Sequence, residues 1–375
     1  MTTDRRLVGG MISQRSRVAL SLLIFAAMIL VDHCHTWVWN YTAWLFDYHF
    51  GFMKRGLVGT VLQSITGATV IPLLWVKCVS WALALAIVAF FLYVFNDLQR
   101  SIRNSEERRQ FLSLFVFFML SPVSLRNYFF DLGRFDQISI ILLLLQWFRP
   151  PLLMTVTLSA IMVLVHENFF FIFMPVLLLI VFSERGLKPA FLVFATVTIS
   201  TFITFKFGRP AVDIETLGQH LLSKANAPLG FNELHLFYVD VRGQLNDSWA
   251  QFQLHKKYFY GYLIYLILSI PVFWVVARLE LTVVGRLIRW GVLMGYLAIV
   301  ILTCDWCRHL TNAYLVCMFL LLYLMKTDGV RTSLMKSKIM SERVLYGAAA
   351  LSLFLPAAGV EIPRLVKFFQ TVSGG

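Results

Sequence analysis

The sequence predicts an all-α polytopic membrane protein, and three observations carry that prediction. Of its 375 residues, 59% are hydrophobic and only 14% charged, against about 45–50% and about 25% in ordinary soluble domains. Apolar runs recur along nearly the whole chain, at about the 15–25 residues that a helix needs to cross roughly 30 Å of hydrocarbon. The runs are continuous rather than alternating with a period of two. Since a bilayer forces every backbone polar group to find an internal partner, they read as helices and not as barrel strands.

About eleven spans are expected. The first, at about 17–33, follows Arg5, Arg6, Arg15 and Arg17. With no small-residue cleavage site behind it, it reads as an uncleaved helix and not as a signal peptide. Residues 34–68 are too apolar for a free loop. Trp37, Trp39, Tyr41, Trp44, Phe46, Tyr48, Phe50 and Phe52 form an aromatic belt, and "RGLVGTVLQSITG" after them reads as a short helix lying in the interface. Spans at about 69–95 and 110–125 follow. Those at 136–148, 151–166 and 168–183 are short for the hydrocarbon and read as half-immersed or re-entrant hairpins. A span at 189–207 completes an N-terminal transmembrane module, 1–205. Residues 206–258 are too few for a core of their own and are expected to form a large outer loop, a cap on the membrane part. Spans at 259–277, 287–304, 309–325 and 344–360 build a C-terminal module, 259–375.

Charge sets the orientation. With the N-terminus in the cytoplasm, the short cytoplasmic segments hold nineteen Lys and Arg and the short outer ones seven, the bias expected of inward-facing loops. That asymmetry accounts for the net charge of +13 without nucleic acid as a partner. The expected location is a bacterial inner or plasma membrane. Five cysteines make no disulfide framework, and without a Gly-rich nucleotide fingerprint an ATP-driven pump is not expected.

Ionisable groups at membrane depth are costly, and their default reading is functional. Four clusters share the outer face. "WLFDYHFGFMKRG" (44–56) carries Asp47, His49, Lys54 and Arg55. "SLRNYFFDLGRFDQISI" carries Arg126, Asp131, Arg134 and Asp136, "VLVHENFFFIF" carries His166 and Glu167, and "LTCDWCRHLTN" carries Asp305, Arg308 and His309. One outward-facing cavity is expected. Each cluster also has a plainer reading: Asp136 as a helix cap, Asp131–Arg134 and Asp305–Arg308 as local ion pairs, Lys54 and Arg55 as snorkelling anchors. His166, Glu167, Asp305 and His309 are zinc-ligand types without an HExxH spacing, so no metal is assigned. Cys304 and Cys307 lack the βαβ setting of a redox motif and read as packing or a local disulfide. Asn40-Tyr41-Thr42 and Asn246-Asp247-Ser248 match the glycosylation sequon.

A cavity mixing carboxylates with Arg, Lys and His suits a phosphate leaving group and a hydroxyl nucleophile. Guanidinium forks hold phosphate, a carboxylate takes the hydroxyl proton, and interfacial aromatics suit lipid tails and sugar faces. Few nucleotide donors exist outside the cytoplasm, which favours a lipid-linked sugar phosphate as donor.

A first helix from the inside, a long outer loop with an acid and interfacial helices, then short paired helices: over about residues 1–205 this resembles the GT-C glycosyltransferase superfamily, in architecture and not in close sequence. The resemblance implies transfer of a sugar from a polyprenyl-phosphate-linked donor to a glycan or lipid-linked acceptor, in cell-surface polysaccharide or glycoconjugate assembly. It also implies a catalytic acid in the first outer loop, here Asp47. Family members often show Asp-x-Asp or paired acids there, whereas this chain has Asp47-Tyr48-His49, which leaves Asp136 and Glu167 as rival bases. Arg126, Arg134, Lys54, Arg55 and Arg308 would hold the phosphate, His166 and His309 would orient or polarise, and His49, Asp131 and Asp305 would line the site. Two alternatives stand. A capsule or O-antigen polymerase or ligase would use the outer loop with Arg209, His220, His235 and Arg242. A transporter or flippase would need repeats and midplane polar groups, and here Lys77 is the only ionisable midplane residue.

Overall fold

In the computed structural model, helix α3 (Leu73–Ser101) sets the pattern of the whole bundle. Its buried residues Val76, Ser80, Ala84, Ile87, Phe91, Val94 and Leu98 recur every three or four positions, one stripe of a 3.6-residue helix. Leu74, Trp75, Val79, Leu85 and Tyr93 on the other side are exposed, as suits a face turned to lipid. The structure describes residues 36, 38–125, 132–230, 232–238, 243, 246, 249–250, 258–278, 283–302 and 306–326. The spans expected at 17–33 and 344–360, together with Trp37, Arg126, Asp131 and Asp305, lie outside the described residues.

Two short helices precede α3: α1 (Val38–Ala43) and α2 (Gly56–Thr66). Helix α4 (Ser105–Leu120) starts where the Asn104 side chain accepts a hydrogen bond from the Glu106 N–H, with Glu106 and Glu107 in the first turn. That cap satisfies an orphan donor and places negative charge at the positive end of the helix. Then come α5 (Asp136–Leu144), continued by a 3₁₀ turn to Phe148, α6 (Leu152–Val165), α7 (Met174–Arg185) and α8 (Leu187–Phe207). The 14 and 12 residues of α6 and α7 span only about 21 and 18 Å at 1.5 Å per residue. Among the described residues α3, α8 and the stretch Cys307–Leu324 are long and apolar enough to cross a membrane. Beyond α8 lie α9 (Ile214–Lys224), α10 (Asn232–Tyr238), α11 (Tyr258–Arg278), α12 (Val283–Leu302) and α13 (Trp306–Leu324). No strand occurs among the described residues; Ile71 and Ala225 form an isolated bridge.

Helix α13 is the hub. Every residue from Leu310 to Tyr323 is buried, and α13 touches α5, α7, α11 and α12. A helix apolar all round belongs at the centre of a bundle. At its C-terminal end Lys326 Nζ donates to the Trp147 carbonyl at 2.8 Å and lies 3.8 Å from the Trp147 ring centroid. Tyr323 OH donates to Glu184, whose Oε1 lies 2.6 Å from Arg149 Nε.

The segment 206–238 folds onto the first loop. The Lys54 N–H donates to the Gly208 carbonyl at 3.0 Å and the Ile71 N–H to that of Lys224 at 2.9 Å. Asn226 Oδ1 accepts from the first N–H of α3, at Leu73, at 2.9 Å. The Phe46 and Phe237 rings pack with centroids 4.3 Å apart. Asn40, half of a sequon match, is buried, and its Nδ2 donates to the Leu132 carbonyl at 2.9 Å. It is closed to glycosylation.

Helix α2 presses on the loop before it at Gly59, where a Cβ would meet the Phe46 carbonyl oxygen at 2.1 Å. The loop backbone cannot yield that distance cheaply. Gly59→Ala is therefore expected to cost about 1–3 kcal/mol, read as a lowered unfolding midpoint of the purified protein in detergent; an unchanged midpoint would show that α2 does not depend on this contact.

Candidate functional site

Three helix ends meet at one end of the bundle. Asp136 opens α5, His166 closes α6 with Glu167 beside it in the turn, and Arg308 lies in the first turn of α13. The turn 166–168 leads into a single helical turn, Phe169–Ile172, before α7 begins. Arg55, just ahead of α2, reaches the same place.

The contacts form one chain. Arg55 Nη2 and Glu167 Oε1 are 2.5 Å apart, and Arg55 Nε donates to Oε2 at 3.0 Å. His166 Nδ1 lies 3.7 Å from Glu167 Oε2. Arg308 Nη2 meets His166 Nε2 at 2.9 Å, and Arg308 Nε donates to Asp136 Oδ2 at 2.5 Å. A guanidinium has only donors and stays charged. His166 Nε2 faces that guanidinium, while His166 Nδ1 accepts from the Asn168 N–H at 3.1 Å. Asp136, the adjacent His166 and Glu167, and Arg308 come from three places distant in sequence, and Asp136, His166 and Glu167 are each under 10% exposed.

The plainer readings of these residues do not apply. The Asp136 carboxylate makes no cap hydrogen bond at the start of α5; it pairs with Arg308 instead. Arg55 is not snorkelling, since its side chain is only 14% exposed and grips Glu167. Its backbone is left-handed, with φ 63°, a conformation costing roughly 1–2 kcal/mol for a residue with a Cβ. The bidentate pair offsets that cost. Arg134 and Lys54 add positive charge around Asp136 and Glu167, and Lys54 Nζ stands over the Phe237 ring at 5.1 Å. His309 is buried beside Arg308.

Asp47 keeps different company. Lys224, at the end of α9, donates from Nζ to Asp47 Oδ2 at 2.6 Å and to the Leu45 carbonyl at 2.7 Å. His220 Nε2 lies 3.2 Å from Asp47 Oδ1, which also accepts from the His49 N–H at 3.1 Å. The His49 and His220 rings stack with centroids 4.5 Å apart. In the orientation its neighbours require, the Gln63 amide donates to Asp47 Oδ2 at 2.9 Å and accepts from Lys224 Nζ at 2.7 Å. This second group clasps the 206–238 segment to the first loop. Sequence reasoning missed Lys224 altogether and gave His220 only to the alternative reading. The signal for Lys224 was present: it follows Leu217 and Leu221 on the apolar face of an amphipathic helix, where a cation needs a buried partner.

The clasp is sensitive to acid. Burial raises the Asp47 carboxyl, but the hydrogen bond and charge of Lys224, the His49 N–H and the charge of His220 bring it net below its ordinary value. Burial lowers the His220 imidazole, Asp47 opposes this, and the net shift is downward. Below their ordinary values the unfolded chain binds more protons than the folded one at both groups. Their stabilisation is complete above about pH 6.5 and is lost as pH falls, first through His220 and then through Asp47.

Among the described residues no group of three or more His, Cys, Asp and Glu gathers as a metal-binding set. The arrangement can present two guanidiniums and two carboxylates to a ligand arriving at one end of the bundle. Residues 11–173, somewhat under half of the chain, match a family model described as "Uncharacterised membrane protein Rv1490". The similarity takes in Asp47, Arg55, Asp136, His166 and Glu167 and stops before His220, Lys224 and Arg308. No curated protein and no solved structure matches the chain. With that similarity and its apolar helices, the chain is a helical integral membrane protein.

Two outcomes check this account. Removing one partner of a buried ion pair costs about 3–5 kcal/mol. Arg55→Met and Glu167→Leu should each destabilise by that amount, and the double variant by far less than their sum, in unfolding midpoints; additive losses would show that the pair is not coupled. Lowering the pH from 7.5 to 5 should reduce the amide protection factors over 214–224, with exchange corrected for its intrinsic pH dependence, and His220→Asn should flatten that trend; an unchanged profile in the variant would exclude His220 as its source.

Proposed function

We propose that this protein is a membrane-embedded glycosyltransferase, moving a sugar from a polyprenyl-phosphate-linked donor to a hydroxyl acceptor on the extracytoplasmic face. The observation that carries the proposal is the buried chain Arg55–Glu167–His166–Arg308–Asp136. A guanidinium has five N–H donors in a fixed fork and binds phosphate as readily as carboxylate. An incoming phosphate competes for Arg308 and Arg55, and each carboxylate it displaces becomes available as a base. The ion pairs are thus a resting state for the site.

In this reading Asp136 is the preferred base over Asp47. Asp136 Oδ1 is buried with no hydrogen-bond partner, whereas Lys224, His220 and the His49 N–H engage both oxygens of Asp47. The acceptor hydroxyl gives its proton to Asp136 as its oxygen bonds to the anomeric carbon. The bond from that carbon to the phosphate oxygen breaks, and the lipid phosphate leaves with its charge met by Arg308 and Arg55. Glu167 holds Arg55, and His166 holds Arg308. A groove of about 440 Å³ is lined by Phe170 and Phe171, three and four residues after Glu167, and by Phe191, Leu287, Gly291 and Gly295 among others. Its apolar walls suit an isoprenoid chain whose phosphate reaches the guanidiniums.

The proposal includes about eleven spans, a cytoplasmic N-terminus, and an outer segment that closes over the donor. The purified protein in nanodiscs, given polyprenyl-phosphate sugars and an envelope glycan extract, should release polyprenyl phosphate. Asp136→Asn also breaks a buried ion pair and should lower the unfolding midpoint; assayed per mole of folded protein, it should slow that release by about 10²–10⁴-fold, and Asp47→Asn much less. Full turnover in Asp136→Asn would remove it as the base.

A further inference from the structure

We propose that Gln137 and Asn312 form a hydroxyl-binding subsite beside the Asp136–Arg308 pair, taking the sugar of the lipid-linked donor. This rests on the transferase reading above and adds the residues that would recognise the sugar rather than the phosphate.

Gln137 and Asn312 are 2% and 0% exposed, and none of their four amide N and O atoms has a hydrogen-bond partner. Leaving a buried polar atom unsatisfied costs about 1–3 kcal/mol, so two whole amides are a large burden on a bundle otherwise built from Leu, Ile, Val and Phe. Other buried amides are at least half satisfied: Asn40 Nδ2 donates to the Leu132 carbonyl, Gln146 Oε1 accepts from Thr155 Oγ1, and Gln99 leaves only its Nε2 unpaired. Among the described residues Gln137 and Asn312 are the amides with neither atom paired, and each adjoins one member of the Asp136–Arg308 pair. Gln137 directly follows Asp136 in α5, Asn312 comes one helical turn after Arg308 in α13, and those two helices pack together. The Ser139 Oγ, on the next turn of α5, is also buried without a partner.

The residue types point to the ligand. An amide offers a donor and an acceptor side by side, and a sugar hydroxyl is both at once. Neither side chain carries charge, so neither competes for the phosphate. Placed next to the proposed base, they would hold the ring whose anomeric carbon must face it. Ordered water could satisfy the same atoms, and the experiment separates the two.

The purified protein in detergent is titrated with undecaprenyl phosphate alone and with undecaprenyl phosphate carrying glucose, mannose, galactose or arabinose. Wild type should bind at least one sugar-bearing lipid about tenfold or more tighter than the bare lipid, equivalent to about 1.4 kcal/mol or more. Gln137→Met with Asn312→Leu should lose that preference and keep the affinity for the bare lipid. The single substitutions, each of which should lose part of the preference, stand in if the double variant does not fold. A sugar preference that survives in the variants would overturn the subsite and leave the amides to water. Equal binding of bare and sugar-bearing lipids by wild type would overturn it too, while leaving the phosphate site standing. No binding of either lipid would overturn the transferase reading and the subsite together.

Discussion

Arg308 is the constraint on which the rest of the structure depends. It lies in the first turn of the most buried helix, and a guanidinium there cannot shed its charge. It must find acceptors without leaving the bundle, and it finds Asp136 at 2.5 Å and His166 at 2.9 Å. Those two contacts fix the starts of α5 and α13 and the end of α6 at one level. His166 in turn stands beside Glu167, and Glu167 draws in Arg55 from the first loop. One obligatory charge thereby organises residues from four separate segments.

Hydrophobic burial builds the bundle, but it does not choose which helix ends meet. Apolar helices in lipid gain little from one another beyond packing, whereas a misplaced buried charge is expensive. The polar chain therefore supplies specificity of arrangement, and the same groups supply the chemistry proposed for them. The Asp47 group does comparable work beside it: Lys224 and His220 tie α9 to the loop that carries Arg55. Movement of the 206–238 segment would reach the site through Arg55 and through Lys54, whose N–H is held by the Gly208 carbonyl.

The bundle was largely legible in the sequence because helical periodicity survives in an apolar chain. The stripe from Val76 to Leu98 and the shortness of the elements at 136–148, 151–166 and 168–183 can be read directly. So can the gathering of acids and bases in particular connecting turns. Partnership was not legible. Spacing offered Arg308 a local partner in Asp305, three residues away, and could not show that it reaches Asp136 across 172 positions. Asp136 had the look of a helix cap, and only the fold could supply the guanidinium that claims it. Lys224 escaped because a loop of unknown structure hid its place on an apolar face. Gln137 and Asn312 stand in the polar stretches around Asp136 and Arg308, but they carry no charge to single them out, and burial without partners is a property of the folded chain alone.

The central claim is that the Arg55–Glu167–His166–Arg308–Asp136 chain receives a lipid phosphate. A cryo-EM structure of the protein in nanodiscs with a polyprenyl-phosphate sugar tests it most directly. The account predicts phosphate density within hydrogen-bond reach of Arg308 and Arg55, with the isoprenoid chain running past Phe170 and Phe171. Phosphate density held by Lys224 and His220, with the Arg308–Asp136 pair undisturbed, would contradict it.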